Sequence, residues 1–305
     1  MCGIFFYNKT SSLIDSSILL RNLKHRGPDA EKVLTTEDVV MGHTLLSIRD
    51  EIDKSIQPVI SKNNRFIISF NGQIYNISEL KKKYNLDKSI KLDTKIILEL
   101  INNIGIKFIH ELKGMFAILV FDKTKKEIYA FRDNTGQKPL YYFLKNNQII
   151  FCSEINPIFQ TVKEKVEINS KIINGLRFLC NLGSQTIFNN IYKLLPGEMV
   201  KFSLHKNILE KKLFLNNHYS YNTEINQVLN KTINEHLQTS RKIILNLSGG
   251  VDSNLILYEA IKNGHNLDVM STKYETNDQK YNRDFNIAKK IAKNYGIKFY
   301  ENFID

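Results

Sequence analysis

No stretch of this chain approaches the ~18 consecutive apolar residues that a membrane-spanning helix needs. Its opening residues, MCGIFFYNKTSS, carry no basic region ahead of a very short apolar run, so no signal peptide is expected. The expectation is a cytoplasmic protein without a membrane partner. Cysteine is scarce. The three cysteines, Cys2, Cys152 and Cys180, are odd in number and far apart, which fits neither a disulfide framework nor a zinc site. Cys152 in IIFCSEI and Cys180 in RFLCNL sit among apolar residues and read as buried small hydrophobes. Blocks of like charge are missing too. The net charge is +12, yet no five or six basic residues run together. The densest cluster, KKKY at 81–84, lacks the aromatic interleaving of a nucleic-acid face. The charge therefore reads as a lysine-rich solvated surface, with no nucleic-acid partner. No internal repeat or low-complexity tract is present.

What is present is ordinary globular material. The 305 residues are 42% hydrophobic and 24% charged, enough for about two domains. β-branched or aromatic runs bounded by turn residues predict strands at 3–7, 39–48, 66–71, 116–122, 127–132, 140–144, 148–153 and 198–202. KNNQ at 145–148 predicts a hairpin turn. Helical spacing predicts helices at 14–23 and 93–103, the second with Ile96, Ile97, Leu100 and Ile101 on one face. This is an antiparallel α+β layout. The pattern changes after about residue 213, where the polar FLNNHYSYNTE reads as a linker. Helix 225–237, strand 242–247, helix 254–263, strand 268–273, helix 281–295 and strand 298–303 then alternate, as in a parallel wound sheet. The expected division is 1–212 and 213–305. Three strands leave a raw sheet edge, and a parallel sheet needs cover on both faces. A partner chain supplying that cover, or a truncated product, is expected.

Cys2 is unusual for its position. Removal of Met1 would make it the N-terminal residue, whose own α-amine, with an ordinary pKa of about 7.7–8.0, can act as general base for the thiol. Position alone leaves a second reading equally open, an ordinary buried cysteine at the start of a strand. A second chemical motif, LSGGVDS at 247–253, follows an apolar strand and precedes a helix. Its glycines let backbone N–H groups converge on a phosphate at a helix N-terminus. It is not the Walker loop, because no GK[ST] follows.

The motifs MCGI (1–4), HRGPD (25–29), GHTLLSI (42–48), QP (57–58), FNGQIYN (70–76) and LDT (92–94) stand in one order. LKGMFAILVFD (112–122), RDNTGQKPLYY (132–142), FCSEI (151–155), LLPGE (194–198) and LSGGVDS continue it. As an ordered set spanning almost the whole chain, they resemble the class II glutamine amidotransferases joined to an ATP-pyrophosphatase domain. The nearest match is to glutamine-hydrolysing asparagine synthetases of the asparagine synthase B type.

The resemblance implies an N-terminal-nucleophile αββα sandwich followed by part of an α/β ATP-pyrophosphatase domain. It implies that the Cys2 thiolate attacks the side-chain amide of glutamine, with Asn71 and the Gly72 N–H holding the oxyanion. Without it, Asn71-Gly72 would read as a hairpin turn. Asp93 matches the family's acid for the substrate ammonium and could also cap a helix. Two positions depart from the pattern. Leu45 stands where the family has the arginine that clamps the α-carboxylate, and Gln73 replaces an acid with a neutral acceptor. Arg49, on the same face as Leu45 if the strand continues, and Arg26 are candidate substitutes for the clamp. At the second site the resemblance assigns ATP to Leu247, Ser248, Gly249, Gly250, Asp252, Ser253 and Thr272, with Asp252 as the candidate Mg²⁺ ligand. The implied activity is ATP-dependent amidation of aspartate through an acyl-adenylate. The family's later motifs lie beyond residue 305. Alternatives are a glutaminase half, an amidating enzyme for another carboxylate, or an inactive split-gene product. A homodimer, or a partner chain carrying the remaining synthetase residues, is the expected assembly.

Overall fold

The computed structural model describes residues 1–10, 14–48, 55–87, 89–90, 92–162, 166–175, 183–214, 224–239, 241–276 and 279–304. Arg49 and Cys180 lie outside them. The chain divides into two compact units, Met1–Asn217 and His218–Asp305.

The first unit is built on two antiparallel sheets. Strands β1 (Gly3–Asn8), β2 (Ala30–Thr35), β3 (Val39–Leu45), β4 (Val59–Ile60), β5 (Phe66–Ile74), β6 (Gly114–Asp122), β7 (Glu127–Arg132), β8 (Tyr141–Lys145), β9 (Gln148–Cys152), β10 (Ile191–Lys193), β11 (Glu198–Ser203) and β12 (Ile208–Leu213) compose them. One sheet has the order β10-β8-β9-β1-β3-β2 and the other β12-β11-β7-β6-β5-β4.

Side-chain alternation explains the layers. In β1, Ile4 and Phe6 join Met41, Ile67, Leu119 and Phe151 in a core between the sheets. Phe5 and Tyr7 point the other way, against Leu19 and Leu23 of the helix Ser16–Leu23. The even residues Phe66, Ile68 and Phe70 of β5 pack on the helix Asp93–Ile104. Each sheet is thus covered by the other on one face and by helices on the other, giving an αββα sandwich. Every residue of β1 is buried because the strand is central and covered on both sides.

Local chemistry fixes the details. Asp15, rather than an apolar residue, sets the start of the first helix, since its carboxylate accepts the Ser17 N–H at 2.9 Å. The β8–β9 turn is the expected hairpin, with Asn146 and Asn147 both at positive φ (49° and 61°). Asn71-Gly72 makes no turn. β5 runs straight through it to Ile74, and Gly72 pairs with Phe116. A Cβ at Gly72 would lie 2.1 Å from the Met115 carbonyl oxygen and 2.7 Å from Phe116 Cα, so the glycine serves close strand approach.

The second unit is a three-stranded parallel sheet, β13 (Ile243–Asn246), β14 (Leu267–Tyr274) and β15 (Phe299–Ile304), in the order β13-β14-β15. Leu257 and Ala260 of the helix Val251–Lys262 and Ala288 and Ala292 of the helix Arg283–Asn294 bury against Val269. The first of these helices begins three residues before the expected 254. Val251, Asp252 and Ser253 therefore form its first turn rather than a preceding loop.

Candidate active site

Cys2 precedes β1 and is held from both sides. Gly3 N–H donates to Thr44 Oγ1 (3.1 Å), and a Cβ on Gly3 would come within 2.6 Å of that oxygen. The Cys2 sulfur accepts the Leu46 N–H at 3.4 Å and lies 3.6 Å from the Leu46 carbonyl oxygen. Burial pushes the thiol up from its ordinary range. The Leu46 backbone and the positive charges of the chain amine, Lys138 and Arg26 work against that shift. Burial likewise lowers the amine of Met1.

The HRGPD segment braces Cys2 from behind. Arg26 Nε donates to the Cys2 carbonyl oxygen at 3.1 Å, and Nη1 donates to Glu154 Oε1 at 2.9 Å. Glu154 is also bonded to His25 Nε2 at 2.9 Å. The arginine is only 7% exposed and does not line the cleft in which Cys2 sits. Its observed contacts hold the nucleophile's backbone, where the sequence suggested a substrate clamp.

That cleft is lined by Cys2, Leu45, Asn71, Gly72, Gln73, Asp93 and Lys138, among others. Strand β5 supplies its polar wall. The odd residues of β5 face the other sheet: Ile67 packs in the inner core, and Ser69 Oγ donates to the Gly42 carbonyl. Asn71 shares this face. It is 2% exposed, and its Nδ2 is buried without a hydrogen-bond partner. Phe116 gives its N–H to Asp133 Oδ2 (3.2 Å) and takes the Asp133 N–H on its carbonyl (2.8 Å). The Gly72–Phe116 pair is therefore a non-hydrogen-bonded pair of the ladder, and Gly72 turns its N–H away from β6.

Other outward N–H groups in this row have acceptors. Phe66 donates to Ser61 Oγ, Phe70 to Gln57 Oε1 (2.7 Å) and Ile74 to Asp93 Oδ2 (3.0 Å). The Gly72 N–H meets no acceptor among the described residues. The QP motif thus has a structural task, with the Gln57 amide standing in for a strand beside Phe70. Asp93 is not the helix cap. Leu92 holds that position, and Asp93 is the first helical residue with its carboxylate turned to β5.

Two groups in this region were not singled out by motif reasoning. His43, on β3, is 1% exposed. Burial drives its pKa down to about 4 against a hydrogen bond to the Phe70 backbone, so the ring is neutral, and Nε2 has no partner. Lys138 is 7% exposed and lines the cleft. Both lie within motifs quoted above, GHTLLSI and RDNTGQKPLYY, but nothing in the sequence distinguishes them from packing residues.

The second unit's loop is built for close backbone approach. Gly249 has φ +82°, and a Cβ there would lie 2.5 Å from the Asp284 carbonyl oxygen. Ser248 and Ser253 hydroxyls are 3.0 Å apart, Gly250 N–H donates to Ser248 Oγ (3.3 Å), and Ser253 Oγ donates to the Gly250 carbonyl (3.1 Å). The Leu247 N–H reaches the Met270 carbonyl (2.8 Å), extending the β13–β14 ladder. Thr272 lies two residues further along β14. Hydroxyls and glycine N–H groups thus gather at the start of the helix Val251–Lys262, a donor set suited to phosphate. Asp252 is in its first turn. Mg²⁺ commonly takes one or two protein carboxylates plus phosphate oxygens, so a single aspartate suits it. Among the described residues, no group of three or more His, Cys, Asp or Glu could hold a metal ion.

The αββα sandwich, with Cys2 just ahead of its first strand, gives the first unit the N-terminal-nucleophile amidotransferase fold. A solved structure titled as glutamine phosphoribosylpyrophosphate amidotransferase of B. subtilis complexed with ADP and GMP superposes with a TM-score of 0.52 at 16% identity, over 98% of this chain and 65% of that one. The chain belongs to the glutamine amidotransferase domain family, whose model matches residues 1–214, and the asparagine synthase model matches residues 224–305. Among similar proteins is a putative glutamine-hydrolyzing asparagine synthetase 2 of Methanocaldococcus jannaschii, 32% identical over 69% of this chain and 46% of that protein. Asparagine synthetase [glutamine-hydrolyzing] 1 of Bacillus subtilis is 27% identical over 98% of this chain and 49% of that protein. The chain spans about half the length of the curated relatives it matches. No helix among the described residues is long and apolar enough to cross a membrane.

Proposed function

We propose that the first unit hydrolyses glutamine at Cys2, as the ammonia-producing part of an asparagine-synthetase-type amidotransferase. The observation that carries this reading is the pair of unspent donors, Asn71 Nδ2 and Gly72 N–H, in the cleft that also holds the Cys2 thiol. A buried donor without a partner is costly unless a ligand uses it.

With Met1 removed, the Cys2 α-amine takes the thiol proton. The thiolate attacks the side-chain amide carbon of glutamine, and the new oxyanion sits between Asn71 Nδ2 and Gly72 N–H. The C–N bond then breaks, the ammonium formed on Cys2 returns its proton to the leaving nitrogen, and ammonia departs. Water hydrolyses the thioester to glutamate and restores the thiol. Losing one oxyanion donor typically costs about 2.7–4 kcal/mol in such a step. Asp93, 9% exposed at the cleft, accepts from the substrate ammonium, with Gln73 as a neutral second acceptor. Leu45 offers the α-carboxylate no charge. Arg49 remains a sequence candidate for that contact, and Arg26 braces Cys2 instead.

The second unit takes ATP in this reading. The Ser248 and Ser253 hydroxyls and the Gly249–Gly250 backbone would hold its phosphates, Asp252 would hold Mg²⁺, and Leu247 and Thr272 would lie beside the nucleotide. ATP supplies the activation that lets ammonia displace oxygen from the carboxylate of aspartate or a related acceptor.

The test is glutamate release from glutamine by wild type and Cys2→Ala, with and without ATP and aspartate. Wild type releases glutamate and the variant does not. Retained release by Cys2→Ala, or none by wild type, refutes the reading. Glutamate without asparagine and AMP would identify a glutaminase half.

A further inference from the structure

Lys138 is a largely buried cation that makes no ion pair among the described residues. It is 7% exposed and lines the Cys2 cleft. Its backbone is fixed at both ends, the N–H donating to Asp133 Oδ2 (2.9 Å) and the carbonyl accepting from Arg132 Nε (2.9 Å). Among the described residues, no acceptor takes a hydrogen bond from its ammonium.

The carboxylate whose charge acts on it, Asp133, is fully buried and already committed. Its Oδ1 accepts from Thr135 N–H, Thr135 Oγ1 and Gln137 N–H, and its Oδ2 accepts from Phe116 N–H and Lys138 N–H. It therefore structures the turn rather than pairing the ammonium. The ammonium opens onto the cleft, where an anion that forms or arrives would meet a cation already drawn out of bulk water.

The geometry points to Lys138 as the counter-ion of the Cys2 thiolate, a positioning residue that favours the ionised nucleophile while keeping its own proton. This rests on Cys2 being the nucleophile of the proposed reaction. The proton leaves Cys2 for the chain amine, so nothing is transferred to or from Lys138. Burial works against both ionised partners. It raises the Cys2 thiol and lowers the Lys138 ammonium, and the charge of each opposes the shift of the other. The other charged groups facing the pair are Arg26, Asp29, Asp133 and the chain amine. Arg26 gives Nε to the Cys2 carbonyl and Nη1 to Glu154 while its Nη2 stays buried without a partner, and Asp29 Oδ2 accepts the Ser47 N–H. Lys95 also lines the cleft but is exposed, whereas Lys138 is buried there and is, ahead of Arg26, the side-chain cation that acts on the Cys2 thiol.

The experiment follows the pH dependence of Cys2 alkylation by iodoacetamide, read by mass spectrometry, in wild type, Lys138→Met and Lys138→Arg. The expected result is a midpoint raised by about one unit in Lys138→Met, hence roughly tenfold slower alkylation at neutral pH, and a nearly wild-type midpoint in Lys138→Arg. An unchanged midpoint in folded Lys138→Met overturns the proposal. If that variant does not fold, the reciprocal measurement decides. In Cys2→Ala, the pH midpoint for acylation of Lys138 by acetic anhydride should fall relative to wild type, and an unchanged midpoint again overturns it. Neither readout needs glutamine. A shifted midpoint in a protein that releases no glutamate would therefore sink the proposed hydrolysis and leave the ion pair standing.

Discussion

Replacing Asn71 with leucine should make the protein more stable and less active. Asn71 Nδ2 is buried without a partner in the folded state, whereas water satisfies it in the unfolded chain. That mismatch is worth about 1–3 kcal/mol against folding. Leucine has a similar volume and no donor to strand, and the β5 backbone bonds at this position do not involve the side chain. Asn71→Leu should therefore raise the melting temperature of the first unit by roughly 2–12 °C, taking about 2–4 °C per kcal/mol for a domain of this size. The same change removes one oxyanion donor, so glutamine hydrolysis should drop about 10²–10³-fold in kcat. The assays are a thermal melt followed by near-UV circular dichroism and a glutamate-release measurement on the same preparations. The opposition of the two effects is the diagnostic. A variant destabilised by 1 kcal/mol or more would mean that the amide is satisfied in solution, removing the argument that it waits for a ligand. Unchanged kcat in a stabilised variant would refute the donor role directly.

Gly72→Ala should fail in a different way, since the new Cβ meets backbone, the Met115 carbonyl oxygen at 2.1 Å and Phe116 Cα at 2.7 Å. Strands β5 and β6 must part, so both stability (about 1–3 kcal/mol, by chemical denaturation) and hydrolysis should fall together; a stable, active variant would refute the close approach. His43 predicts an acid sensitivity. Its folded pKa of about 4 lies below the ordinary 6.5, so the unfolded chain binds a proton that the folded chain refuses, and stability falls as pH drops from 6.5 toward 4. Up to about 3 kcal/mol is at stake, and His43→Gln, measured by denaturant titration across that window, should flatten the decline; an unchanged slope would place the titration elsewhere.

What could be read in the sequence follows from what each pattern reports. The helix Asp93–Ile104 was visible because Ile96, Ile97, Leu100 and Ile101 all bury on one face. The hairpin at Asn146–Asn147 was visible because the turn chemistry is local. Strands β2 (AEKVLT) and β12 (ILEKKL) were not read as strands, since both lie at sheet edges and carry lysine and glutamate on exposed positions. The Asn71-Gly72 pair shows a local signal overridden by tertiary structure, because its turn propensity loses to a ladder that needs a residue without Cβ opposite Phe116. Arg26 shows the limit of motif reasoning at the site itself. Its presence near the nucleophile was legible, but the partners that commit it to the Cys2 carbonyl and Glu154 come from elements 24 and 128 residues away along the chain.

The distribution of unsatisfied groups separates two ends of the cleft. At the proposed reacting end, Asn71 Nδ2 is buried without a partner, and neither the Gly72 N–H nor the Lys138 ammonium meets an acceptor among the described residues. At the end proposed to recognise glutamine, Leu45 is 4% exposed and apolar and offers an α-carboxylate no charge. An arginine there would contact the carboxylate equally in substrate and transition state, because the carboxylate lies four bonds from the reacting carbon and its charge does not change. Uniform binding of that kind lowers KM and leaves kcat untouched. If the proposed hydrolysis holds, leucine at position 45 is expected to change how tightly glutamine is held rather than whether it can be cleaved. A weak KM and an ordinary kcat are compatible with every group that the chemistry itself requires.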